Sequence, residues 1–173
     1  MNDVIRAMEK RRSVRAFESE QIETDELKQI LEAGTYAANG RGAQSGKIVV
    51  VQDPETISLL SRLNAAVMGT DTDPFYGAPT VLVVLADSTV PTYVEDGSLI
   101  IGNLMLAAYS LGIGSCWIHR AKEVFGSEEG KKLLQKWGIP ENYQGVGHCI
   151  LGYAIQSKIA AAKPRREDFI VWD

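Results

Sequence analysis

From Gly97 to Ile118 the chain carries no charged residue over 22 consecutive positions. This stretch limits the fold more than any other, because an uncharged run of that length must leave water. A membrane span needs about 20 apolar residues to cross a hydrocarbon core about 30 Å thick. Here Gly112 and Gly114 end the helical pattern after Leu111, and Gly102, Asn103 and Ser110 interrupt the apolarity. The uncharged helical part is about 15 residues, roughly 22 Å at 1.5 Å per residue, too short to cross. No membrane association is therefore expected. A helix from Thr92 to Leu111 that is apolar on nearly all sides belongs in a large core or in a subunit interface.

The rest of the chain reads as an ordinary globular domain. It has 173 residues, 45% hydrophobic and 23% charged, which excludes disordered, collagen-like and disulfide-scaffold classes. Residues 1–173 are expected to form one domain, able to bury roughly two thirds of the unfolded surface. The net charge of −4, from 18 basic and 22 acidic residues, argues against a nucleic-acid binder. The segment Met1–Arg15 is charged throughout and lacks the apolar core of a signal peptide. The two cysteines, Cys116 and Cys149, read as buried thiols in a reducing compartment, so the expected location is cytoplasmic. With His119 and His148 they make two Cys/His neighbourhoods, but paired zinc-ligand spacings are missing, and no metal is expected.

Residues 2–11 read as a short helix with Val4, Ile5 and Met8 on one face. Thr24 is placed as the N-cap of a helix reaching about Ala38, with Asp25 and Glu26 in its first turn. A Gly-rich loop, Asn39–Gly46, leads to a strand at 47–52. Asp53 and Pro54 mark the start of the next helix. Strands follow at 80–85, 115–118 and 146–151, with two short helices within 121–137. The tail, 160–173, ends in Phe169, Ile170, Val171 and Trp172, and an apolar end of that kind should dock. This order indicates an α+β or α/β sheet with helices on both faces.

Positive charge is concentrated in two islands. Lys10, Arg11, Arg12 and Arg15 form one, and Lys163, Arg165 and Arg166 the other, so that 7 of the 18 basic residues lie near the two ends of the chain. Arginine forks suit phosphate and carboxylate groups, and Ser13 adds a hydroxyl; the alternative is two solvated runs. The loop Asn39–Gly46 combines small residues with amide and guanidinium donors, as either a ligand-facing loop or a plain connection. No nucleophile–base–orienter trio is legible. If the chain is an enzyme, a cofactor carries the chemistry.

Taken in order, these segments resemble the FMN-dependent nitroreductase family. The resemblance rests on Arg11-Arg12-Ser13-Val14-Arg15-Ala16-Phe17, Ala37-Ala38, the loop with Gln44 before Ile48–Val51, and Asp73–Pro79 closing in Gly-Ala-Pro. It continues through Gly97–Leu111, Gly112-Ile113-Gly114-Ser115-Cys116-Trp117-Ile118, Leu151-Gly152-Tyr153 and Lys163-Pro164-Arg165-Arg166, and so covers essentially the whole chain.

The resemblance implies a three-layer α/β/α fold of α+β class, with a mixed, mainly antiparallel sheet, in an intertwined homodimer. It implies an oxidoreductase that takes electrons from NADH or NADPH onto FMN and passes them to a nitroaromatic, a quinone or a similar small-molecule acceptor by a ping-pong route. The other reading is an FMN-binding or storage module without efficient turnover. No side chain is expected to be catalytic, since hydride moves at flavin N5. By position, Arg11, Lys163 and Arg165 would hold the phosphate, with Arg12 in the same stretch. Ser13 and Arg15 would face the pyrimidine edge. Asn39 and Gln44 belong to the loop that lines the ring from the other subunit, and Trp117, Ile118 and His119 would lie close to it. The tail would embrace the partner. Two departures stand out. The family often has Asn-x-Gln-Pro-Trp where this chain has Gly42-Ala43-Gln44-Ser45-Gly46. A glycine commonly follows Trp-Ile where this chain has His119, then Arg120, the latter expected to face solvent.

Overall fold

In the computed structural model, which describes residues 2–173, six helices and four strands alternate. They are α1 (Asp3–Lys10), α2 (Thr24–Thr35), β1 (Gly46–Val51), α3 (Pro54–Met68), β2 (Thr80–Asp87), α4 (Tyr93–Ser110), β3 (Gly114–Ile118), α5 (Ala121–Gly126), α6 (Glu128–Lys136) and β4 (Tyr143–Gly152). The strands form one sheet in the order β1-β2-β4-β3, and each neighbouring pair is antiparallel. The expected parallel component amounts to one bridge, Ser13 to Ser115, which lays the arginine-rich segment beside edge strand β3.

The sheet is the middle of three layers. Successive residues of a strand face opposite sides, and β2 is apolar on both. Val81, Val83 and Leu85 pack with Leu60, Phe75, Val124, Phe125 and Leu134 beneath α3, α5 and α6. Leu82 and Val84 pack with Ile30, Ile101, Leu104 and Ala108 beneath α2 and α4. A strand covered on both faces reads as a continuous apolar run, as this one does.

Local chemistry explains most boundaries. The Asp53 side chain accepts the Thr56 N–H, and Pro54 opens α3, as the sequence indicates. At α2 the cap is Glu23 rather than Thr24. Glu23 and Glu26 form a reciprocal capping box, which satisfies two backbone donors at once. This helix also stops at Thr35, short of Ala38. Strand β4 begins at Tyr143, earlier than the apolar run at 146–151 implies, and takes in Gly145 as well as Gly147. Both mark close approaches. A Cβ at Gly145 would strike the backbone of Ala121, and one at Gly147 would come within 2.6 Å of Trp117 Nε1.

The long helix is less enclosed than its composition implies. Ile101, Leu104 and Ala108 of α4 are buried, but Leu99 is 48% exposed and Val94 and Tyr109 also meet solvent. Among the described residues no helix is long and apolar enough to cross a membrane. Likewise α1 turns Val4, Ile5 and Met8 outward, and the tail Phe169–Trp172 does not dock on its own chain, with Trp172 89% exposed.

Candidate functional site

The segment between α1 and α2 shapes the main concavity. At the end of α1 the Arg12 guanidinium donates to the carbonyls of Glu9 (2.8 Å) and Arg11 (2.5 Å), groups that a helix end leaves without partners. The chain then becomes extended. The Val14 N–H donates to Ser115 O at 2.9 Å, which fixes Ser13 against β3. Between this segment, α1, the end of α4 and the first residues of β3 lies a cavity of about 580 Å³, within the range that holds small ligands. Its walls include Asp3, Arg6, Lys10, Arg11, Arg12 and Ser115.

One atom in this wall is diagnostic. Arg11 Nη1 is buried and has no hydrogen-bond partner. A buried guanidinium nitrogen left unpaired is costly, and an anionic oxygen entering the cavity would satisfy it. The wall thus fits a phosphate-bearing cofactor: an orphaned donor, three further cations against the single acid Asp3, which pairs with Arg6, and a space large enough.

A second concavity, about 410 Å³, lies at the other end of α4, between α2, β1 and the loop 39–46, and is bordered by Asn39, Gln44, Ser45 and Asp96. The loop is held in an uncommon shape. Arg41, Gly42 and Gln44 all have positive φ, 55°, 68° and 48°, which costs a non-glycine residue roughly 1–2 kcal/mol. The Asn39 carboxamide is used inside the loop. Its oxygen accepts the Gln44 N–H at 2.9 Å and its nitrogen donates to Ala37 O at 3.3 Å. Asp96, from the first turn of α4, accepts the Gly40 N–H at 2.9 Å and the Ser45 hydroxyl at 2.7 Å. Burial alone would raise the Asp96 pKa; hydrogen bonds from Ser45, Gly40 and Thr92 outweigh it, so the carboxyl stays below its ordinary value.

Edge strand β3 places Trp117 half-exposed, beside His119 with ring centroids 5.5 Å apart, while Ile118 points into the opposite core cluster. The turn after β3 is fixed from below by buried Asn64. Its amide donates to His119 O at 2.8 Å, and its oxygen accepts Arg120 Nε at 2.9 Å. Arg120 itself adopts φ 74°. The Arg120 side chain therefore turns back onto the fold rather than into solvent.

Of the residues singled out from the sequence, Arg11 and Arg12 line the larger cavity and Ser13 borders it through Ser115. Arg15 lies 6.0 Å from the Tyr76 ring centroid, over the loop that precedes β2. Asn39 and Gln44 belong to the second concavity. Lys163 and Arg165 lie on the exposed tail, where Arg165 donates to Lys163 O at 2.7 Å, and neither lines the larger cavity. Within one chain the two basic islands and the Gln44 loop are thus not brought together. Asp96 and Asn64 escaped the sequence reading. Asp96 looks like an ordinary acid in a first helical turn, and Asn64 lies in the middle of a helix with no local signal.

Cys116 and Cys149 are free and buried, on adjacent strands but in opposite core clusters. Burial, with Cys116 adding to it, pushes the Cys149 thiol far above its ordinary pKa. Among the described residues no group of three or more side chains could hold a metal. His148 is fully buried between Phe75 and Phe125, with ring centroids 5.2 and 6.0 Å away. Burial, assisted by the Arg120 charge, lowers its pKa to about 4, and the backbone at Ile118 and His119 opposes this only in part.

Comparison with known proteins gives a consistent pattern. The sequence model of the Nitroreductase family matches residues 8–74 and 68–153. A protein of Archaeoglobus fulgidus with the provisional name NADH dehydrogenase/NAD(P)H nitroreductase is 32% identical, over 91% of this chain and 89% of its own length. A Bacillus subtilis protein named FMN reductase [NAD(P)H] is 26% identical, over 95% of this chain and 70% of its own. A nitroreductase from Bacteroides fragilis, solved with bound FMN, superposes with a TM-score of 0.92 at 30% identity and full coverage of both chains.

Proposed function

The chain belongs to the nitroreductase family and is an FMN-dependent oxidoreductase; we propose that it takes electrons from NADH or NADPH and reduces nitroaromatic, quinone or similar small-molecule acceptors. The observation that carries this reading is the buried, unpartnered Arg11 Nη1 in the wall of the larger cavity. FMN, when bound, supplies a ring that accepts hydride from a nicotinamide and then delivers electrons to an acceptor. The chain's own residues have the other tasks. Arg11 would pair with the phosphate, with Lys10 and Arg12 adding positive charge. Ser13 and the backbone at Ser115 would line the cofactor's approach. Trp117 and His119 would form a wall at the ring end, and Asn64 holds that wall's turn in place. No side chain need move a proton in the hydride step.

The active form on this reading is a homodimer. Val4, Ile5 and Met8 of α1, Leu99 of α4 and the tail Phe169–Trp172 are each exposed in one chain, and apolar side chains on three elements are what a subunit interface would cover. Pairing would cover them and bring one subunit's Gln44 loop toward the other's cavity. Lys163 and Arg165, carried on the tail, would complete the phosphate site on association. Residues 1–173 would act as one domain, since both core clusters share β2 and β4. The two free thiols fit a reducing compartment, the cytoplasm.

The test is FMN uptake and steady-state kinetics on the purified protein. The reading expects a yellow protein, or a colourless one that binds added FMN. It also expects parallel double-reciprocal lines when NAD(P)H and acceptor are varied, the mark of a two-stage exchange at one site. A protein that takes up no FMN would overturn it. Flavin that binds without turnover would favour the storage reading.

A further inference from the structure

We propose that Asp96 is a positioning residue for the cofactor site, clamping the loop 39–46 from inside the fold so that Gln44 is presented to the flavin. The inference rests on the FMN reading above and adds to it a residue that touches neither cofactor nor substrate.

Asp96 is 2% exposed, and among the described residues no cation forms an ion pair with it. A carboxylate in that position survives only if hydrogen bonds replace the lost water. Both of its oxygens take a hydrogen bond from the loop, and Thr92 adds another from the start of its own helix. Oδ1 takes the N–H of Gly40 near the loop's start, and Oδ2 takes the hydroxyl of Ser45 near its end. Between these two anchors lie the three positive-φ residues Arg41, Gly42 and Gln44. A loop with that backbone relaxes unless both ends are tied.

The anchoring also sets direction. Ser45 is 3% exposed and turned onto Asp96, while its neighbour Gln44 faces solvent. Pulling Ser45 inward sends Gln44 outward. The same turn of α4 grips the loop by packing, since a Cβ at Gly40 would collide with the Thr92 side chain. Strand β2 adds a backbone tie, Asp87 N–H to Ser45 O at 2.9 Å. An alanine at position 96 would remove both acceptors and with them the two-ended clamp, whereas an asparagine could keep it, its oxygen toward Gly40 N–H and its amide nitrogen donating to the Ser45 hydroxyl.

The experiment is a double-mutant cycle read by FMN affinity. Full-length parent, Asp96→Ala, Gln44→Ala and the double variant are stripped of flavin and titrated with FMN. A positioning role predicts that Asp96→Ala raises the FMN Kd about tenfold in the parent background and less than twofold once Gln44 is alanine. A purely structural role would weaken binding equally in both backgrounds and would overturn the proposal, as would no change in the parent background. Should Asp96→Ala fail to fold, Ser45→Ala removes one arm of the clamp and is taken through the same cycle, with the same outcomes. A parent that binds no FMN would overturn the functional reading itself, whereas an FMN-binding parent without coupling overturns only the role of Asp96.

Discussion

Arg11 and His148 show opposite ways of burying a basic group. Arg11 leaves one guanidinium nitrogen unpaired at a cavity wall, where an arriving anion would satisfy it. Arg11→Ala is therefore expected to lower FMN affinity by about 10- to 150-fold, the equivalent of about 1.5–3 kcal/mol for one charge-assisted contact. Isothermal titration of the flavin-free variant measures this, and unchanged affinity would remove Arg11 from the phosphate site. His148 instead surrenders its charge. Its pKa falls from 6.5 to about 4 on folding, so below pH 6.5 the unfolded chain takes up a proton that the folded chain refuses. Stability is whole above pH 6.5 and declines as the pH falls toward 4, by up to about 3 kcal/mol. The lowered carboxylate of Asp96 acts in a different window, contributing above its ordinary pKa of 3.8 and losing that contribution only below it. Urea midpoints taken from pH 7 to pH 4.5 should fall steeply for the parent and less for His148→Leu; parallel slopes would show that His148 is not the acid-sensitive group.

At the scale of elements, what was legible followed from local chemistry. The cap of α3, the apolar run of β2 and the glycine stop after α4 each depend on a few adjacent residues, and each lies where the sequence places it. The misplacements share a cause, which is contact between distant segments. Strand β4 extends ahead of its apolar run because Gly145, which looks like a strand breaker, is pressed against Ala121. Asp96 looked like a helix-start acid until the loop 39–46 was folded onto it. Arg120 looked solvated until Asn64, 56 positions away, was found to accept from it. In the same way Arg11, Arg12 and Gln44 were visible as candidates because clustered cations and a Gly-rich loop are local signals. The two concavities they enter are not local. The central strand also sets a stability expectation. Leu85 is fully buried among residues of α3, α5 and α6, so Leu85→Ala should cost about 2–5 kcal/mol. Chemical denaturation would report it, and a loss below 1 kcal/mol would mean that the core collapses around the gap far more readily than close packing allows.

The molecule as a whole presents an imbalance that one chain does not resolve. Two basic islands stand apart, a strained loop faces outward, and apolar residues of α1, α4 and the tail are each exposed. All three are accounted for if each chain supplies half of two sites. Deleting residues 167–173, which removes Phe169–Trp172, should then weaken self-association and raise the FMN Kd together, as sedimentation velocity and flavin titration on the same samples would show. A truncated chain that self-associates and binds FMN like the parent would place the tail outside the site. The central claim is that FMN held in this cavity shuttles electrons between a nicotinamide and an acceptor. Anaerobic stopped-flow absorbance tests it most directly. The account predicts that NADH or NADPH bleaches the bound flavin and that a quinone or nitroaromatic then restores its colour; bound flavin that stays oxidised with both nucleotides would contradict it.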